Sequence, residues 1–244
     1  MKRLGVPLLC LVLVLAVSGV ALASLYFVSA QSEIVVNYHS GTYTVTGHTW
    51  TQVNTTADEL LAENWLYKNG QLQTSAYDER YNASYASCSC SKVDSGAAMW
   101  KVIGHHGAMI YRTGEAIEKW TSDETGTTLS LPGGNDDAVL KAAVAEALSD
   151  STGGWTTHTL GEMSVLVEPG SRLAAPSSFS RVLSRQVLRR HHRPEDFFPV
   201  ILLAPAGDRA AVALVRPHGQ SSVFWLTVQD GSWVVTDMGH VAVN

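Results

Sequence analysis

The hydrophobic and polar positions of this chain fall into three regimes. From Leu4 to Ala30 the run LGVPLLCLVLVLAVSGVALASLYFVSA carries no charge. About 20 apolar residues suffice for a helix to cross the bilayer core, so this run predicts a membrane segment. From Gln31 to about Ser130 apolar and polar residues mix in short stretches. Ile34–Tyr38 and Thr42–Thr46 are rich in β-branched and aromatic residues and predict strands around a His39-Ser40-Gly41 turn. Leu60, Leu61, Trp65 and Leu66 recur at helical spacing behind Asp58 and Glu59. They predict a helix capped by Thr55 or Thr56 and ended by Asn69-Gly70. Tyr77, Tyr81 and Tyr85 follow at intervals of four, a helix face or a loop with aromatic anchors. Ala97–Ile103 and Ala108–Tyr111 predict two strands joined by a Gly104-His105-His106-Gly107 turn, and Gly114–Trp120 predicts a short helix.

The third regime begins after a polar, structure-breaking stretch, Ser122 to Gly134. Asn135 is placed to cap a helix carrying Val139, Leu140, Ala143, Val144, Ala147 and Leu148 at helical spacing. Met163–Val167 predicts a strand. A second helix begins at Ser177 or Ser178, buries Phe179, Val182, Leu183, Val187 and Leu188, and stops at Pro194. Val200–Ala204, Ala210–Val215, Val223–Val228 and Trp233–Asp237 then predict four strands at hairpin spacing. The expected fold class is therefore α+β. A membrane segment (1–30) precedes two small α+β units (31–130 and 134–244), the second an antiparallel meander with two helices covering one face.

Helices followed by a meander that closes on Asp230-Gly231-Ser232-Trp233-Val234-Val235 resemble the nuclear-transport-factor-2-like, or cystatin-like cone, fold. The resemblance covers about residues 134–244. It implies a cone-shaped sheet behind a single membrane helix, as in many bacterial accessory proteins. That fold hosts both enzymes and binding modules, so it assigns no residue a function.

Charge adds an address. Lys2 and Arg3 precede the apolar run, which keeps the N-terminus cytoplasmic and sends the rest outward. A cleaved leader is the alternative, with Ala21-Leu22-Ala23 or Val28-Ser29-Ala30 as its end. The chain is thus expected at the cell membrane as a single-pass protein, or secreted if cleaved. Without Lys2 and Arg3 the 17 basic residues fall to 15 against 22 acidic ones, a net charge of −7. A general nucleic-acid binder needs a cationic surface, so that class is set aside. Cys88 and Cys90 remain after the leader, and an oxidising compartment favours a local disulfide between them.

Candidate chemistry is sparse. Arg181, Arg185, Arg189, Arg190 and His191 form a basic face on the second helix of the last unit. They complement the helix dipole, or bind an anionic envelope component or a protein. His105-His106 reads as a solvated turn, since adjacent strand residues point to opposite faces and rarely share a metal. Ser89-Cys90-Ser91-Lys92 matches Ser-x-x-Lys without its companion motifs. No metal or cofactor is expected. The functional expectation is a membrane-anchored or exported non-enzymatic protein that binds a partner at the cell envelope. The alternative is an extracytoplasmic hydrolase with a pocket in the C-terminal unit.

Overall fold

The structure, a computed structural model, describes residues 24–127, 136–217 and 219–243. Its longest elements make one hairpin: β2 (Thr42–Lys68) and β3 (Gln71–Asp94), turned by Asn69-Gly70 with both residues at positive φ. β2 pairs with β3 along most of its length. On its other edge its first half takes β1 (Phe27–His39) and its second half takes β4 (Met99–Ile110), to which β5 (Glu115–Gly126) adds.

The hairpin folds over on itself. Its register breaks between Gln52 and Ala57, and on β3 beside that break Asn82 adopts φ 52°. The two halves then face each other. Asn64 Nδ2 donates to the Gly47 carbonyl at 3.0 Å, and the Cys88 thiol lies 3.6 Å from the Ala76 carbonyl. The Ser87 amide donates to Asp78 Oδ2 at 3.0 Å. In an unbent strand those pairs would stand about 30 to 56 Å apart. On the opposite side β1 meets β5, where Ser32 Oγ lies 2.7 Å from Thr121 Oγ1 and the Ile34 amide donates to Asp123 Oδ2 at 2.9 Å. Between the halves lie Val45, Leu60, Ala62, Leu66, Trp100, Val102 and Ala108.

The second sheet is an antiparallel meander in the order β10-β9-β8-β7-β6, with β6 (Thr156–Thr159), β7 (Val200–Leu203), β8 (Arg209–Leu214), β9 (Ser221–Gln229) and β10 (Ser232–Val241). Both of its faces are covered. Val200, Leu202, Ala211 and Ala213 pack with Leu140 and Val144 of α1 (Asp136–Ala147). The alternate residues, Ile201, Leu203, Ala210, Val212 and Leu214, pack with Phe179, Val182, Leu183 and Val187. Those four belong to the central helix, which runs through Pro176–Val182, a π-helical stretch Leu183–Leu188, and Arg189–His191. Two-sided burial explains why these strands read as unbroken apolar runs. The central helix also touches Trp65, Tyr67, Ile103 and Trp120 of the first sheet, so it lies between the two sheets.

This architecture corrects the expected α+β class. Among the described residues the protein is mostly β, 58% strand and 18% helix. The predicted helix after Thr55 is the second half of β2, and the one over Gly114–Trp120 belongs to β5. Gly104-His105-His106-Gly107 is the middle of the single strand β4. Its glycines are there for clearance: a Cβ on Gly104 would stand 1.9 Å from Ser32 Oγ. Met163–Val167, expected as a strand, begins with a helical turn, Met163–Leu166, and β6 was not anticipated. The two long C-terminal helices take opposite faces of the meander, where one covered face was expected. The four meander strands fall where the turn residues put them. Asn135 lies outside the described residues, as does the leader up to Ala23, while Phe27–Ala30 are the start of β1. No described helix is long and apolar enough to cross a membrane.

Gly104→Ala is expected to destabilise the protein by about 1–3 kcal/mol, the usual range for overpacking a filled core. Urea unfolding of wild type and variant measures it. A change below about 0.5 kcal/mol contradicts the close approach of β1 and β4.

Candidate functional site

The face of the first sheet that meets the central helix carries a row of side chains in register. Trp120 of β5, His105 of β4, Glu63 of β2 and Tyr77 of β3 are successive cross-strand neighbours. His105 is fully buried, and Glu63 is 1% exposed. His105 Nδ1 lies 2.8 Å from Glu63 Oε2, and its Nε2 lies 2.8 Å from Glu118 Oε2. Glu118 reaches the imidazole because Gly107, beside it on β4, has no side chain. A Cβ there would meet Glu118 Oε2 at 2.6 Å. The imidazole also stacks on Trp120, ring centres 4.5 Å apart, and Trp120 stacks in turn on Trp65 at 5.7 Å.

The central helix supplies the complement. Arg181 Nη2 binds Glu118 Oε1 at 3.2 Å, Arg185 pairs with Glu59 and Glu79, and Arg189 pairs with Glu63 and Glu79. Ser184 donates to Glu63. The Arg189 guanidinium sits 4.2 Å above the Tyr77 ring. In an α-helix four residues advance about 40° past a full turn. The wider π-helical turns reverse that drift, which keeps Arg181, Arg185 and Arg189 in line over the acids. Four carboxylates (Glu59, Glu63, Glu79, Glu118) thus face four cations (the three arginines and protonated His105).

Burial opposes a charge on His105, but its bonds to Glu118 and Glu63 outweigh that and raise its pKa to about 9. Burial likewise opposes ionisation of Glu63, yet His105, Arg189 and Ser184 hold its pKa below the usual carboxylate value. The neighbouring His106 points into the sheet interior, between Thr51 Oγ1 at 2.9 Å and Thr121 Oγ1 at 2.8 Å. Its burial, with the positive charge of His105 next to it, lowers its pKa to about 3, so it is neutral. Chemically the first cluster is an ionic clasp, both imidazole nitrogens being held by carboxylates.

The residues expected to bind a partner are now placed. Arg181, Arg185 and Arg189 face the first sheet and carry the clasp. Arg190 is exposed, while His191 is half-buried with its ring 4.8 Å from Phe224. The expected Cys88–Cys90 disulfide is not formed; both thiols are free. They project from the inner face of β3, and Cys90 lies 3.1 Å from Asn64 Oδ1. Extended backbone holds alternate residues near the far limit of the Cα separation a bridge accepts. Burial raises both thiol pKa values, that of Cys90 to about 12. His105 and His106, expected in a solvated turn, are buried. Among the described residues no group of three or more His, Cys, Asp or Glu is placed to hold a metal ion. The sequence reading gave none of the four glutamates a place in a site, taking Glu59 only as a first-turn residue of the predicted helix. Glu63, the single charge in the mostly apolar stretch from Leu60 to Leu66, was the available signal.

Fold and clasp together define a mostly β protein whose two sheets are fastened around one basic helix. No family model matches the chain, and no curated protein matches it. Among solved structures it is similar to a protein from Archaeoglobus fulgidus, with a TM-score of 0.24, 13% identity, and coverage of 43% of this chain and 100% of that one. It is also similar to the sporulation control protein Spo0M from Bacillus subtilis, with a TM-score of 0.18, 10% identity, and coverage of 81% and 78%. Likenesses this distant carry no argument about fold or function, and they do not show the cone fold.

The clasp predicts a stability profile with two slopes. The His105 pKa lies above its ordinary 6.5, so its contribution is full below about pH 6.5 and is lost as pH rises through about 9. The Glu63 pKa lies below 4.5, so its contribution is full above about pH 4.5 and is lost as pH falls through the lowered value. Urea midpoints across this range should be highest between those limits, and His105→Gln should remove the alkaline slope. Arg189→Ala, which leaves Glu63 buried beside an unbalanced charge, is expected to cost about 3–5 kcal/mol in the same assay.

Proposed function

We propose that this chain is an exported, non-enzymatic protein of the cell envelope whose fastened two-sheet body binds a partner. The observation that supports the reading is the clasp. Its cations and carboxylates pair with one another beneath the central helix, with Arg185 Nε and Arg189 Nη2 buried without a hydrogen-bond partner among the described residues, and this pairing suits a rigid body. The face of the second sheet beneath the central helix is filled by apolar side chains, which supports packing over a substrate pocket there.

The address rests on Lys2, Arg3 and the apolar run that follows, and the start of the fold sharpens it. Leu25 is buried, its amide donating to Glu115 Oε1 at 2.8 Å, and the Ser24 carbonyl accepts from Asn54 Nδ2 at 3.1 Å. Leu25 and Phe27 belong to the core of the first sheet, so the apolar stretch after Ser24 no longer favours a membrane anchor over a leader. The export segment is therefore read as Leu4–Ala23, with Ala21-Leu22-Ala23 as the place where a leader would end. The outward cation left for an anionic or protein partner on the central helix is Arg190.

Cell fractionation with mass determination of the recovered protein tests the address. Export predicts either an intact chain in the membrane fraction or a chain beginning at Ser24 outside the cytoplasm. An intact chain in the cytosol overturns the proposal. Arg190→Glu is expected to change stability by less than about 0.5 kcal/mol, as exposed substitutions usually do, whereas reversing Arg181, Arg185 and Arg189 together should prevent folding. Thermal unfolding of the two variants distinguishes the outward cation from the clasp.

A further inference from the structure

A second feature, independent of the clasp, lies where the tip of the β2–β3 hairpin meets the second sheet and α1. A cavity of about 380 Å³ opens there, a size within the range of small-molecule sites. Its walls are apolar: Leu140 and Ala143 of α1, Phe197 and Phe198, Val215 just after β8, and Val243 after β10. Val139, 68% exposed, lies at its edge. One charged side chain, Arg216, also lines it. This arginine is ion-paired with Asp196, Nε to Oδ1 at 3.5 Å, although that buried Nε makes no hydrogen bond among the described residues. A polar cleft of about 450 Å³ adjoins the cavity, sharing Asn69 and Pro217 with it and adding Lys68, Gln71, Gln73 and Glu195.

We infer that this cavity binds a small amphiphile, an unbranched apolar chain ending in a monoanionic carboxylate. The chain would occupy the apolar slot and displace its water. The carboxylate would sit at the mouth on Arg216, with the amides of Gln71 and Gln73 toward the polar cleft. Arg216 is already ion-paired on one side with Asp196, and a carboxylate at the mouth would add a second charge-assisted partner to the same guanidinium. A single negative charge is specified because Glu195 and Asp196 stand nearby and would repel a dianion. A neutral alcohol of the same length would keep the apolar contacts and lose the charge-assisted bond.

The test uses the chain as recovered from cells, free of detergent, with decanoate and decanol as probes below their aggregation thresholds, read by calorimetry. Saturable binding is expected for both, with decanoate about tenfold tighter, the ratio a single charge-assisted hydrogen bond supplies. Arg216→Gln should remove that tenfold difference and leave decanol unchanged. Ala143→Trp, which fills the slot from a helix position, should abolish binding of both, with a thermal midpoint near wild type as proof that the variant folds. Two results overturn the inference: no saturable decanoate binding to the folded wild type, or binding that survives in folded Ala143→Trp. If Arg216→Gln weakens both probes alike, the carboxylate assignment is overturned. None of these outcomes depends on where the protein resides.

Discussion

The structure depends on one electrostatic constraint: a row of carboxylates on a strand face must be neutralised where water cannot reach. Glu63 and Glu118 are almost wholly buried, and a buried carboxylate is tolerated only when paired and hydrogen-bonded. The pairing is supplied from two directions. His105 comes from the same sheet, and the arginines come from an element far along the chain. The central helix therefore cannot rotate or slide without exposing a mismatch. An apolar contact between the sheets would have been as stable or more so, since replacing buried ion pairs by packed hydrophobic residues is often neutral or favourable. What the ions add is register, because an arginine moved by one residue faces away from its glutamate.

The second sheet shows what the same helix does with its other side. Phe179, Val182, Leu183 and Val187 meet Ile201, Leu203, Val212 and Phe224 without a charge among them. One helix thus joins two sheets by opposite means, fixed in position on the first and held by area on the second. The π-helical stretch, Leu183–Leu188, lies where both demands coincide, because the basic row from Arg181 to Arg189 and the apolar row from Phe179 to Val187 both pass through it. A π-turn inside an α-helix commonly marks a position where packing or function overrides regular geometry.

How much of this the sequence disclosed varies by unit. The meander was legible because its turns are chemically marked: Gly207 and Asp230-Gly231 carry positive φ, and the strands between are continuous apolar runs. The first sheet was opaque for a related reason. Residues 60–67 are all buried, since Leu60, Ala62, Asn64 and Leu66 face the folded-over half while Leu61, Glu63, Trp65 and Tyr67 face the helix and its surroundings. Burial on both faces erases the period of two that identifies a strand. A run of Leu, Ala and Glu with high helical propensity then reads as a helix. Tertiary pairing with β3 and β4 overrides that propensity. The glycines around His105-His106 misled in the same way, because clearance for Ser32 and Glu118 leaves the same letter as a turn does.

The arginines mark where single-chain reading stops. Arg181, Arg185 and Arg189 were visible as a basic face, and such a face on an isolated helix implies an anionic partner. The partner is anionic, but it is Glu59, Glu63, Glu79 and Glu118 of the same chain. Nothing local joins those two sets, which lie up to 126 residues apart. They were also hidden from each other by the helical reading of β2, which keeps Glu59 and Glu63 on one face but removes the strand pairing that brings them beside His105, Glu79 and Glu118. Once β2 is extended, alternate residues share a face, and Glu59 and Glu63 project with Trp65 and Tyr67 toward one element. An element that covers two buried carboxylates must carry cations at matching spacing, and the central helix is the one long described helix that does. The secondary structure of β2 therefore determines whether the basic helix is read as a surface or as a core.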